Sequence, residues 1–148
     1  MATWPYYAFA VVAGAMLPFQ FGINAVLARY VDGAARAVLV SFVVGALTLL
    51  VAVLVFYRGL PAADRPAEAP WWVWAGGLLG AFYVLGSVVT APKLGAATVV
   101  ALILAGQAAA SLTVDHFGLV GFEDSPITPG RLLGLGLVAV GVVLVRVF

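Results

Sequence analysis

The chain has 148 residues, of which 65% are hydrophobic and only 9% charged, with a net charge of +1. A soluble domain carries about a quarter charged residues, so this composition excludes a fold surrounded by water and marks the bilayer as its solvent. The balanced charge excludes a nucleic-acid binder, which needs a basic face. The absence of cysteine excludes disulfides, thiolate chemistry and sulfur-ligated metals, and a single histidine cannot build a multi-histidine centre. No cofactor is expected.

Stretches free of Asp, Glu, Lys, Arg and His cover 1–28, 37–57, 69–92, 94–114 and 132–145. A helix needs about 20 apolar residues to cross roughly 30 Å of hydrocarbon. The first predicted helix covers about 5–28. No basic residue precedes Arg29, and the apolar run is too long for a secretory signal, so it reads as a retained membrane helix. Trp4, Tyr6 and Tyr7 anchor it at the interface. Gln20 and Asn24 stand four apart, hence on one face, just after Pro18.

The second helix is expected over about 37–57, with Ser41, Gly45, Thr48 and Ala52 as a small-residue stripe. Arg58–Pro70 contains three prolines and reads as a solvated link. The third helix covers about 71–91. Its Gly76-x-x-x-Gly80 face allows close packing, and Tyr83 and Ser87 continue that face. Ala91-Pro92-Lys93-Leu94-Gly95 follows, in which proline is expected to stop the helix and glycine to permit the turn.

The fourth helix covers about 95–114 and carries Gln107 and Ser111 four apart, with Asp115 one turn further. Asp115–Thr128 is the longest connection and holds His116, Glu123 and Asp124. The fifth helix, about 129–148, reaches a span's length if Arg131 and Arg146 snorkel outward from its ends. The expected fold is all-α: a single five-helix transmembrane domain over 1–148.

Polar side chains inside hydrocarbon either line a cavity or bond neighbouring helices together. Both uses stand open for Gln20, Asn24, Gln107 and Ser111, and for Tyr83 and Ser87 beside them. Asp115 and His116 are the one adjacent titratable pair. They either end the fourth helix at the interface or carry protons, since histidine exchanges protons near neutrality. No nucleophile–base set and no phosphate-cradling loop is present, so an enzyme is not expected. No carboxylate lies deep in a span, which disfavours export of cations against protons on a buried acid.

Lys and Arg in short loops orient membrane chains. On the N-terminal side lie Arg58, Arg65 and Arg131; on the other lie Arg29, Arg36, Lys93 and Arg146. So even a division does not fix an orientation: either a partner or one dominant loop decides it, or the chain inserts both ways and two copies pair antiparallel as halves of an inverted repeat.

Gly14 with Gln20, Asn24 and Leu27, then Ser41-Phe42-x-x-Gly45, Pro92-x-Leu94-Gly95, Gly106-Gln107 and Asp115-His116-Phe117-Gly118 follow in order along nearly the whole chain. This set resembles the five-helix YdcZ family of the drug/metabolite transporter superfamily. The resemblance implies a multi-pass protein of the bacterial inner membrane, built as one repeat of an inverted-repeat transporter. It implies an antiparallel homodimer, or a heterodimer with a related chain of opposite orientation. Gln20, Asn24, Gln107 and Asp115 match the family's recurring polar positions. The chain lacks the helix 1 carboxylate of the four-helix multidrug relatives, which argues against cationic drug export. The expected function is secondary transport of a small metabolite or drug-like solute by alternating access; the alternative is a non-transporting accessory or scaffold subunit.

Overall fold

The computed structural model describes residues 3–57 and 69–148. Arg58 and Arg65, counted above for orientation, lie outside the described residues. Among the described residues, five helices are long and apolar enough to cross a membrane. They are α1 (Trp4–Tyr30), α2 (Ala34–Phe56), α3 (Ala75–Leu94, preceded by a 3₁₀ turn over Trp71–Trp74), α4 (Ala96–His116) and α5 (Pro129–Val147). Contacts divide the chain into two compact units, one ending at Pro92 and one running Lys93–Phe148.

In the first unit, α1 and α2 form a hairpin closed by three residues, Val31-Asp32-Gly33. The turn needs left-handed backbone, which Asp32 (φ 53°) and Gly33 (φ 141°) supply. Arg36 reaches back from α2 to donate to the Asp32 carbonyl at 3.0 Å, and its guanidinium lies 3.9 Å from the Asp32 carboxylate. Both helices therefore extend further than the charge-free blocks, taking in Arg29 and Arg36. A cation in the last turn suits the negative end of α1, and Arg36 satisfies carbonyls that the end of α1 leaves open.

The third helix packs against α2. The Phe42 ring lies 3.8 Å from where a Cβ on Gly80 would stand, and Val38 joins Val84 and Val88 in one buried cluster. Residue numbers fall along α2 as they rise along α3, so these two helices are antiparallel. The α1–α2 hairpin then makes α1 and α3 parallel.

Two expectations for α3 are corrected. Its first turn, Trp71–Trp74, is 3₁₀, and the α-helix begins at Ala75. Pro92 does not stop it: the helix continues through Lys93 to Leu94. Proline has a helical φ and removes only one donor, close to an end where the ladder is running out anyway. The terminator is Gly95, at φ 82°, the one residue between α3 and α4.

In the second unit, α4 and α5 pack as an antiparallel pair around the connection 117–128. Thr128 caps α5 by accepting from the Arg131 backbone N–H at 3.3 Å, and Pro129 occupies the first helical position. Large apolar side chains stay exposed along all five helices, Phe9, Leu49, Phe82 and Leu133 among them. That is the surface a helix bundle offers to lipid.

Candidate functional site

Pro18 precedes the polar stretch of α1. Gln20 is half-buried, while Phe21 and Asn24 are 1% and 2% exposed. Phe21 and Asn24 are three residues apart and share a face. Across from them on α3, the Tyr83 ring meets Phe21 edge-to-face, with centroids 6.1 Å apart and planes at 67°. Ser87 lies one turn beyond Tyr83 and is 1% exposed. Because α1 and α3 run the same way, one turn onward from the Phe21–Tyr83 contact leads to Asn24 on one helix and Ser87 on the other.

The hydrogen bonding of this seam is incomplete. Ser87 donates its hydroxyl to the Val84 carbonyl at 2.7 Å, which leaves its oxygen as an acceptor only. Asn24 Nδ2 and the Tyr83 hydroxyl are buried with no partner among the described residues. An unmet buried donor costs about 1–3 kcal/mol. The first unit thus holds two orphaned polar groups in the interior of its spans.

Unit two is different. Gln107 and Ser111 occupy exposed positions on α4. Asp115, half-buried at the last turn, sits 3.4 Å from Arg131 of α5. The same guanidinium donates to the Ser125 carbonyl at 3.3 Å, and the Ser125 N–H donates to the Asp115 carbonyl at 2.6 Å. His116 Nδ1 accepts from the Ile127 N–H at 3.4 Å, and its ring stands edge-on to Phe117. Asp115 and His116 therefore fasten the loop between α4 and α5. Arg131, read from sequence as snorkelling outward, turns back to Asp115 because a carboxylate within reach is a better partner than distant headgroups.

Sequence reasoning grouped Gln20, Asn24, Gln107, Ser111, Tyr83 and Ser87; it did not single out Phe21 or Ser125, and it read Arg131 as snorkelling rather than paired with Asp115. Phe21 carried a readable signal, three residues before Asn24 on the same face. Arg131 carried another: an isolated cation in a span's first turn calls for an anion, and Asp115 ends the preceding span.

Comparison with known proteins agrees with this architecture. No solved structure matches the chain. "Inner membrane protein YdcZ" of Escherichia coli (strain K12) is 31% identical over 142 residues, which cover 93% of this chain and 92% of that protein. A family model described as "Putative inner membrane exporter, YdcZ" matches residues 5–144. With five helices able to span the bilayer and that match along nearly its full length, the chain belongs to the YdcZ family of multi-pass inner-membrane proteins.

Proposed function

We propose that the chain is a secondary transporter of a small solute, one five-helix repeat that works as a dimer by alternating access. The observation that carries this reading is the orphaned pair on the α1–α3 seam, Asn24 Nδ2 and the Tyr83 hydroxyl. Packing alone gives no reason to bury donors without acceptors, whereas a transport path does. A scaffold subunit needs only apolar and small-residue faces, so the seam speaks against it. Gln20 and Ser87 are proposed as further polar lining of the seam, Gln107 and Ser111 as solute-contacting positions of the second unit taken by itself, and Asp115 with His116 as a loop fastening rather than a proton-coupling site.

The natural partner is a second copy inserted the other way, or a related chain of opposite orientation. The near-equal loop charges favour this, since neither direction of insertion wins clearly. Reporters fused after Phe148 should then be found on both sides of the membrane, and two lysines added there should draw the end to the cytoplasm. A one-sided population from the native sequence would remove dual topology. Transport itself is tested in proteoliposomes filled with a bacterial small-molecule extract. Mass spectrometry of the released molecules should show a set that leaves wild-type vesicles and stays in vesicles carrying Asn24→Leu. Release identical to protein-free vesicles would defeat the reading.

A further inference from the structure

We infer that the transported solute is uncharged and is held through an acceptor oxygen by two donors on the α1–α3 seam, the Asn24 amide and the Tyr83 hydroxyl; this rests on the transport reading above. The two groups without partners are both able to donate, and the third polar side chain, Ser87, has already given its hydrogen to Val84. Neither donor meets an acceptor among the described residues, the Ser87 oxygen included. A carbonyl, ether or hydroxyl oxygen on the solute supplies one.

Charge decides between an uncharged solute and an ion. In the described part of the first unit the charged side chains are Arg29, Asp32 and Arg36, all at the α1–α2 turn. Asp32 and Arg36 face each other, and Arg29 is exposed five residues beyond Asn24, on another side of the helix. A carboxylate or ammonium brought to Asn24 would lose its hydration and, among the described residues of this unit, meet no opposite charge. That loss far exceeds what two neutral hydrogen bonds return. The Phe21–Tyr83 ring pair lies one turn back along the same seam and suits an apolar body beside the acceptor oxygen.

The chain contains no cysteine, so Ser87→Cys places a single thiol at the seam. In nanodiscs, N-ethylmaleimide should modify it, and benzamide should slow that reaction while its charged isosteres benzoate and benzylammonium do not. Adding Tyr83→Phe or Asn24→Leu should raise the half-protecting benzamide concentration by about fivefold or more, the worth of one hydrogen bond. Direct binding of tritiated benzamide to the cysteine-free protein and its Tyr83→Phe variant repeats the comparison should Ser87→Cys fold poorly. If the charged isosteres protect as well as benzamide, if nothing protects, or if protection ignores both donors, the inference falls while the transport reading stands. If the thiol is inert and benzamide does not bind, the seam is sealed packing, and both fall.

Discussion

The two units treat their polar residues in opposite ways. In the first, Asn24 and the Tyr83 hydroxyl are buried within apolar spans and have no partner among the described residues. In the second, Asp115, Ser125 and Arg131 gather at a helix end and satisfy one another, and His116 beside them accepts from the Ile127 N–H. Mutually satisfied groups at an edge shape a loop. Unsatisfied buried groups cost stability, and the proposed solute would complete them. Burial and partnering together separate the two roles, where residue type alone does not.

The largest effect that tests this contrast is expected at Asn24. Asn24→Leu should lower transport roughly tenfold or more while stability changes by about 1 kcal/mol or less, because removing an unpaired donor relieves a penalty. Gln107→Ala should likewise abolish transport with assembly retained, since an interhelical bond in membranes averages only about 0.6 kcal/mol. Loss of the assembled protein in either variant would turn the polar groups into glue. At Gly118, where φ is 57° and a Cβ would stand 3.4 Å from the Phe122 carbonyl oxygen, alanine should cost about 1 kcal/mol or more in thermal unfolding. Transport per folded molecule should be unchanged. Asp115→Asn removes a part-exposed ion pair with Arg131 and should cost about 1 kcal/mol or less; Arg131→Gln should cost the same, and the double variant little beyond either. His116→Gln should be nearly silent, since glutamine can still accept from the Ile127 N–H. A pH-dependent transport rate that disappears in His116→Gln would move proton coupling to this corner.

How much of this was readable in advance follows from physical scale. A span is a sum over some twenty residues, so one charge or one proline hardly alters it, and all five helices were found. An end is set by one residue's backbone, which is why Pro92 misled and Gly95 decided. The fourfold spacing of Tyr83 and Ser87 put them on one face correctly. That this face meets Phe21 depends on how α1, α2 and α3 pack, and no spacing within one helix reports it. The Asp115–Arg131 pair spans a whole loop; opposite charges at its two ends were visible, but their closure was not.

The backbone of the α4–α5 connection has a further consequence. Residues 117–122 read Phe-Gly-Leu-Val-Gly-Phe, apolar enough to be drawn into the hydrocarbon as two more turns of α4. Gly118, Val120 and Gly121 all stand at positive φ, at 57°, 51° and 89°. A right-handed helix cannot propagate through such residues. The α4 helix is held to 21 residues, which at 1.5 Å per residue is about 32 Å. This is close to the thickness of the hydrocarbon core, so a local reversal of handedness acts as a length gauge that keeps the helix free of hydrophobic mismatch.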